Sequence, residues 1–188
     1  MQPIDLMKLT DVLNQMRDEK STLDNYALPG LSSTLLPGGR LRMFECHRNT
    51  PELIAPHSHR YDFACLVLAG SVVNTVYKPC KGIEGPTSDF WAMSILTPIE
   101  GGLGDYEKQV ISQASCFTPV STTYRAGDVY SMLNDDIHSI QFSRGAQVLF
   151  IEGPERSTTS IVLEPSTVDL LSHVPTFETR PWMFKRRN

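Results

Sequence analysis

The run 55–70 reads Ala-Pro-His-Ser-His-Arg-Tyr-Asp-Phe-Ala-Cys-Leu-Val-Leu-Ala-Gly, and it is the most informative stretch of the chain. Its apolar second half, which ends at a glycine, predicts a strand. His57 and His59 stand at the start of this strand, one residue apart. Side chains at positions i and i+2 of a strand point to the same face, so the two imidazoles aim at one point. That arrangement is typical of a strand that presents two nitrogen ligands to a metal ion.

A third histidine lies in a later stretch with the same character. His138 belongs to the run 136–140, Asp-Ile-His-Ser-Ile, which also reads as a strand. Three imidazoles suit Fe, Ni, Cu or Zn better than Mg or Ca, because Mg and Ca prefer oxygen ligands. We therefore predict that His57, His59 and His138 bind one transition-metal ion. The alternative for His138 is a half-buried histidine that only makes a hydrogen bond.

Outside this region the chain reads as one helix followed by many short strands. In residues 5–19, Leu6, Leu9, Leu13 and Met16 form one stripe, which predicts an amphipathic helix packed outside a sheet. Further along, short runs rich in β-branched and aromatic residues alternate with turn formers, a pattern typical of a sandwich or barrel. The predicted strands are 41–47, 61–68, 71–77, 90–96, 109–118, 121–124, 129–133, 138–143, 147–152 and 160–164.

The length bounds the domain organisation. The chain has 188 residues, enough for a single domain with a sizeable core. We predict an N-terminal helical segment at 1–30, a β-barrel at 31–165 and a C-terminal tail at 166–188 that packs on the barrel. The other predicted features are long loops at 79–89 and 98–105 and a short helix at 168–173.

The charge balance and the cysteines exclude several classes of protein. The formal net charge is −4 and the pI is about 5.7, so we expect no nucleic-acid partner. The sequence has no signal peptide and no apolar run long enough to cross a bilayer, so we expect no membrane partner and a cytoplasmic location. No Cys-x-x-Cys pair is present, which argues against a zinc finger, and we expect all the cysteines to be reduced thiols. They are Cys46, Cys65, Cys80 and Cys116.

The order of these motifs resembles that of the cupin superfamily. The His-Ser-His run at 57–59 follows a proline and leads into a strand that closes at Gly70, as in the first cupin motif. The run 125–130, Arg-Ala-Gly-Asp-Val-Tyr, followed by His138 on the next strand, resembles the second motif. The resemblance covers about residues 40–152. It implies an all-β fold, a single-domain cupin-like β-barrel or jelly roll with the N-terminal helix packed outside.

One element of the usual cupin pattern is missing. The family carries a glutamate four or five residues after the second histidine, and Phe63 and Ala64 occupy those positions here. Asp62 is the nearest carboxylate, but strand parity turns it away from the histidines unless a β-bulge reverses the order. We keep Asp62 as an alternative fourth ligand or as a residue that hydrogen-bonds a ligand. Asp128, Asp136 and backbone carbonyls are further candidates for the second role.

Strand parity turns Cys65 toward the histidines. A three-histidine cupin with a cysteine near the metal resembles the thiol dioxygenases, the cysteine and cysteamine dioxygenase group. The runs 136–140 and 146–154 are similar to that family's last-ligand strand and the strand after it. The resemblance implies that the three histidines hold Fe(II), which binds a small thiol and O₂ and oxidises the sulfur to a sulfinic acid.

We therefore expect a metal-dependent cupin dioxygenase that acts on a small molecule, with Cys65, Tyr61 and Tyr130 as catalytic residues. Fe(II) is the expected cofactor, with Zn, Ni and Mn as alternatives. Arg42 and Arg60 are candidates for holding a substrate carboxylate, although parity turns Arg60 outward. Two other functions stay open, a non-catalytic small-molecule-binding cupin and a metal-dependent lyase or isomerase. Sheet edges and the C-terminal aromatic residues favour a homodimer.

Overall fold

A computed structural model describes residues 6–16, 21–26, 29–48, 55–80, 89–100 and 106–166. These ranges contain one helix and eleven strands. The helix α1 is Leu6–Gln15, and the strands are β1 Thr22–Leu23, β2 Leu31–Leu35, β3 Leu41–Cys46, β4 Tyr61–Ala69, β5 Ser71–Pro79, β6 Asp89–Pro98, β7 Tyr106–Arg125, β8 Val129–Met132, β9 His138–Phe142, β10 Gln147–Glu155 and β11 Ser160–Pro165. No helix within them has the length and hydrophobicity that a bilayer crossing requires.

The strands form two antiparallel sheets. The six-stranded sheet has the order β1-β2-β3-β10-β4-β8, and the five-stranded sheet has the order β11-β6-β7-β5-β9. Alternating side chains of both sheets meet in one core, to which the six-stranded sheet contributes Val67 and Phe150 and the five-stranded sheet Val72 and Phe142. The prediction of an all-β, double-sheet domain is therefore confirmed.

The helix packs on the outer face of the six-stranded sheet, as predicted. Leu13 is buried there with Met43 of β3, Leu68 of β4 and Leu149 of β10. These strand residues alternate with those that face the core, so the six-stranded sheet is apolar on both faces. The helix stripe covers the second apolar face and removes it from water. Residues 5 and 17–19 of the predicted helix lie outside the described part of the chain.

Two strands of the N-terminal third were not predicted. β1 and β2 pair with each other, and β2 contains Ser32, Ser33 and Thr34, which are all buried. Three polar residues in a row hide the alternation by which a strand is recognised. Their hydroxyls find partners inside the fold, since Ser32 donates to Asp24 at 3.0 Å and Thr34 bonds Thr22 at 2.9 Å.

A proline lies inside β7, where the sequence predicted a break. The two predicted strands 109–118 and 121–124 are one strand that runs through Pro119. Its Cα partner on β5 is Tyr77, whose N–H points the other way and donates to the carbonyl of Ile137 at 2.8 Å. Tyr77 and Pro119 are therefore a non-hydrogen-bonded pair of the antiparallel ladder. Such a pair needs no N–H donor from the proline, so β7 stays paired with β5 on both sides of it. The other predicted strands are all found, with ends that differ by at most three residues.

A disulfide joins two neighbouring strands. Cys80, just after β5, and Cys116, in β7, are bonded with their Cα atoms 5.4 Å apart. The expectation of four reduced thiols is therefore wrong for this pair. The pairing of β5 with β7 brings together two cysteines 36 residues apart, which no local pattern reveals. Cys46 and Cys65 are free and buried.

The extended segment before β4 connects the two sheets. His57 forms isolated bridges to His138 at the start of β9 and to Val162 in β11, which are the two edge strands of the five-stranded sheet. The chain then enters the six-stranded sheet as β4 at Tyr61. Several predicted segments lie outside the described residues. They are most of the two predicted loops (81–88 and 101–105), the predicted helix at 168–173 and nearly all of the predicted tail (167–188).

Candidate metal centre

The three predicted histidines lie together inside the molecule. Their ring centroids are 4.8 Å apart for His57 and His59, 5.1 Å for His57 and His138, and 5.2 Å for His59 and His138. One nitrogen of each ring can be chosen so that all three lie within 4.8 Å of one another. Among the described residues they are the one group of histidine, cysteine or acidic side chains close enough to hold a metal ion.

Main-chain hydrogen bonds set the positions of all three residues. The N–H of His57 donates to the carbonyl of His138 at 3.0 Å, and the N–H of His138 donates back to His57 at 2.9 Å. The N–H of His59 donates to the carbonyl of Asn134 at 3.1 Å. Asn134 is held in turn, because its N–H donates to the carboxylate of Asp62 at 3.0 Å. The spacing of the histidines is therefore fixed by the backbone and not only by side-chain packing.

The hydrogen bonds of two rings select the tautomer that binds a metal. Nδ1 of His57 lies 2.9 Å from the carbonyl of Ala55, which can only accept, so this nitrogen carries the proton. Nδ1 of His138 lies 2.7 Å from Oδ1 of Asn74, and the amide of Asn74 is oriented by its Nδ2, which donates to the Met132 sulfur at 3.4 Å. In both rings the lone pair is therefore on Nε2.

The Nε2 atoms of His59 and His138 have the separation that a shared ion requires. Nε2 of His59 lies 3.0 Å from Nε2 of His138. Two nitrogens that each bind one ion at about 2.1 Å at a right angle to each other lie about 3 Å apart. The donor set of three imidazoles is also the one that Fe, Ni, Cu and Zn accept. The residues present therefore fit a transition-metal ion.

Burial keeps the three rings neutral. The pKa of His57 is lowered from its ordinary value by desolvation. Desolvation, with the neighbouring histidines as the next cause, holds the pKa values of His59 and His138 well below the ordinary value. A metal competes with protons for imidazole nitrogen, so rings that are already neutral at pH 7 are ready to bind.

The histidines line a cavity between the sheets, and eight tyrosine and phenylalanine residues also line it. Its volume is about 150 Å³. Phe63 packs edge-on against His59 at 4.6 Å between centroids, and Phe150 lies 4.8 Å from Phe63. The three predicted catalytic residues Tyr61, Cys65 and Tyr130 line the same cavity, with the Tyr61 ring 5.5 Å from His59.

Cys65 and Tyr130 are direct partners across β4 and β8. Burial raises the pKa of the Cys65 thiol to about 12 and holds the pKa of Tyr130 well above its ordinary range. The Tyr130 hydroxyl is buried and makes no regular hydrogen bond within the described part of the chain, although the Cys65 thiol lies close enough to affect its pKa. This pair therefore presents a neutral thiol and a neutral phenol to the cavity.

Asp62 does not join the histidine group. Its carboxylate accepts from Nε of Arg156 at 3.0 Å and from the N–H of Asn134, and Arg156 lowers its pKa. This is the outward orientation that strand parity predicted. Asp128 and Asp136 also bond backbone rather than histidines, since they accept from the N–H groups of residues 125 and 133 at 2.7 and 2.8 Å.

Sequence reasoning missed one residue of the centre. Asn74, the acceptor for His138, is 3% exposed, and its signal is a polar residue at a core-facing position of the apolar strand β5. Arg60 contributes to the cavity wall, with its guanidinium 3.3 Å from Glu155. The guanidinium of Arg60 therefore pairs with a half-exposed carboxylate and not with the histidines.

Comparison with known proteins gives structural likenesses only. No family model matches the chain, and no curated protein matches it. Hydroquinone 1,2-dioxygenase PnpCD, in complex with Cd²⁺ and 4-hydroxybenzonitrile, is 12% identical over 66% of this chain and 58% of its own, with a TM-score of 0.35. The present chain thus spans little more than half of that dioxygenase.

Two further solved structures are matched over more of their length. The Drosophila melanogaster CENP-C cupin domain is 12% identical over 80% of this chain and 99% of its own, with a TM-score of 0.38. L-ribose isomerase from Cellulomonas parahominis, with L-ribose, is 12% identical over 85% of this chain and 82% of its own, also with a TM-score of 0.38.

Proposed function

We propose that this protein is a mononuclear metal oxygenase, with His57, His59 and His138 as the ligands of Fe(II). The observation that carries the proposal is the set of hydrogen bonds around the rings. Two Nδ1 protons go to fixed acceptors, and the Nε2 atoms of two rings lie 3.0 Å apart beside a cavity lined by several aromatic residues. Three neutral ligands leave coordination positions for a substrate and O₂.

A bound Fe(II) ion would supply the O₂ binding and the electron exchange that O₂ needs to react with an organic molecule. The residues of the chain bind and orient the substrate. Three neutral imidazoles do not compensate the charge of the ion, so an anionic substrate atom is favoured beside them. The aromatic side chains give the substrate an apolar surface to pack against. The Tyr130 hydroxyl, which has no regular partner among the described residues, is placed to donate a hydrogen bond to the substrate.

A small thiol is the substrate that we propose for this centre. Its oxidation balances as R–SH + O₂ → R–SO₂H, in which both oxygen atoms enter the product and no external reductant is needed. The support for this assignment is the resemblance of the histidine and Cys65 pattern to the thiol dioxygenases. Burial raises the pKa of the Cys65 thiol, so the protein's own thiol is protonated in the metal-free cavity.

Elemental analysis of purified protein tests the ligands. We expect close to one equivalent of iron in wild-type protein produced in iron-supplemented medium and a loss of most of it in His57→Ala and His138→Ala. His47→Ala is the matched control, because His47 is exposed and its ring bonds only Ser32, at 3.2 Å, among the described residues. Equal metal content in all four proteins would refute the ligand assignment.

Oxygen uptake tests the reaction. We expect the iron-loaded protein to consume O₂ with cysteamine, cysteine or another small thiol and to form the sulfinic acid. Bound metal without O₂ uptake for any thiol would overturn the thiol assignment. Turnover of a substrate under anaerobic conditions would instead identify a lyase or isomerase, and no turnover at all would leave a small-molecule-binding protein.

A further inference from the structure

Arg42 is a cation on the inner side of the six-stranded sheet. On β3 it shares its face with Phe44 and Cys46, which belong to the core between the sheets, whereas Leu41 and Met43 face the helix. Arg42 lines the same cavity as the histidines. A half-buried guanidinium at the wall of an aromatic cavity is costly unless it serves a partner.

Within the described parts of the chain, the contacts of Arg42 do not saturate its guanidinium. Nη1 donates to Ser33 at 3.3 Å, and the Cζ atom lies 5.9 Å from the ring centroid of Tyr26. A guanidinium carries five N–H donors in a planar fork. Donors are therefore left for a ligand, and the planar fork matches a carboxylate better than any other common organic anion apart from phosphate.

Phe150 connects Arg42 with the histidines. Arg42 is the Cα partner of Phe150 across β3 and β10, and the ring of His59 lies 6.3 Å from that of Phe150. A molecule that lies against Phe150 therefore reaches Arg42 with one end and the histidines with the other.

The walls and the size of the cavity restrict the body of that molecule. Phe44, Phe63 and Phe150 pack around it, with 5.9 Å between Phe44 and Phe150 and 4.8 Å between Phe63 and Phe150. Aromatic walls favour a flat ring, which packs against them face to edge or in offset stacks. A cavity of about 150 Å³ holds a benzene-sized ring with small substituents. Glu152 also lines it and, like Arg42, lies close enough to Tyr26 to act on it, so its negative charge offsets part of the positive charge of Arg42 and disfavours a ligand with more than one anionic group.

From this arrangement we infer that the cavity binds a small aromatic monocarboxylate, and that the thiol proposed above as substrate belongs to this class, with its sulfur on the ring edge that faces the histidines. The carboxylate is held by Arg42, the ring lies against Phe150, and the opposite edge faces the histidines. The inference rests on the proposed function in taking this cavity as the substrate site. It does not depend on which metal is bound or on whether O₂ reacts there.

Binding to metal-free protein tests the inference without any turnover. The probes are benzoate and benzamide, which have nearly the same shape and differ in charge, and titration calorimetry or protein NMR shifts measure their affinity. We expect benzoate to bind at least about tenfold more tightly than benzamide, which corresponds to about 1.4 kcal/mol. Absence of benzoate binding, or equal affinity for the two probes, would overturn the inference.

Variants assign the binding to Arg42. We expect Arg42→Met to lose at least about tenfold in benzoate affinity and to leave benzamide affinity unchanged, and Arg42→Lys to keep part of the preference. Arg40→Met is the matched control, since Arg40 is an exposed arginine two residues away, and it should bind benzoate as the wild type does. If Arg42→Met does not fold, Arg42→Lys and the two probes still decide. Unchanged benzoate affinity in both Arg42 variants would overturn the inference.

The two proposals fail in different ways. Arg42-dependent benzoate binding together with no metal in the purified protein would refute the proposed function and keep this inference. Metal bound through the histidines together with no preference for benzoate over benzamide would keep the proposed metal ligands and refute this inference.

Discussion

Replacement of Asn74 by leucine isolates the effect of one hydrogen bond on metal affinity. In the wild type, Oδ1 of Asn74 accepts the Nδ1 proton of His138 at 2.7 Å, and both residues are buried. Leucine has a similar volume but no acceptor. Without this acceptor, the His138 ring no longer favours the tautomer with its proton on Nδ1. In the other tautomer the proton is on Nε2, where it occupies the lone pair that binds the metal.

The expected loss follows from two independent magnitudes. A buried donor that loses its partner costs about 1–3 kcal/mol. Loss of a residue that orients a ligating histidine lowers metal affinity about 10- to 100-fold, which corresponds to about 1.4–2.7 kcal/mol. The second hydrogen bond of Asn74, to the Met132 sulfur at 3.4 Å, is weak and adds little. We therefore expect Asn74→Leu to bind Zn²⁺ about 10- to 100-fold more weakly.

Competition with a chromophoric chelator measures the affinity, and circular dichroism checks that each variant is folded. Asn74→Asp keeps an acceptor and should stay within about threefold of the wild type. Thr75→Val is the control on the neighbouring residue, because it removes a hydroxyl that bonds Ser121 at 2.8 Å and not a histidine. If Asn74→Leu binds Zn²⁺ as tightly as Thr75→Val does, the role assigned to Asn74 is wrong.

Three further predictions concern stability. Metal-free protein should lose stability as the pH falls below about 6.5, because burial lowers the pKa values of the three imidazoles and only the unfolded chain then takes up protons. The urea midpoints of unfolding at pH 5, 6 and 7 measure this loss, and equal midpoints would contradict the prediction. Cys80→Ser should lower the free energy of unfolding by up to about 4 kcal/mol, the chain-entropy estimate for a separation of 36 residues. A reductant should lower the urea midpoint of the wild type by a similar amount, and an unchanged midpoint would argue against the disulfide. Gly70→Ala places a Cβ 2.8 Å from Cα of Ala146 at a φ of +67°, whereas Gly145→Ala meets nothing within 4 Å at a φ of +75°. Both should be destabilised by about 1 kcal/mol of left-handed strain, and Gly70→Ala by at least about 2 kcal/mol more in chemical denaturation; equal losses would show that the close contact relaxes.

Local patterns in the sequence were enough for most of the fold. Alternation and turn residues located nearly all the strands of the two sheets, and the leucine stripe located the helix. The exceptions each depend on tertiary contacts. β2 is buried with three polar residues in a row because their hydroxyls find partners in the fold, and β7 continues through Pro119 because the partner strand directs its N–H elsewhere. The bond between Cys80 and Cys116 follows from the pairing of β5 with β7, which is a non-local property.

For the candidate centre too, local patterns predicted the histidines but not the residues that strand pairing brings to them. The i, i+2 spacing of His57 and His59 in an extended segment predicted that both side chains face one site. His138 was added because it lies on a later strand of the same character. Parity also turned Asp62 outward and Cys65 inward, as the structure has them. Asn74 could not be found in this way, because its role depends on the pairing of β5 with β9. The same holds for the juxtaposition of Arg42 with Phe150, which depends on the pairing of β3 with β10.

The reciprocal main-chain bonds between His57 and His138 have a consequence for metal selection. A cage whose spacing is set by the backbone exists before any ion arrives, and it cannot be reshaped much by the ion that enters it. Such a cage discriminates poorly among divalent ions of similar size, and occupancy then follows their intrinsic order of affinity for nitrogen ligands and their local concentrations. The metal found in the purified protein will therefore depend on the growth medium, and reconstitution from the metal-free state is the way to rank the ions.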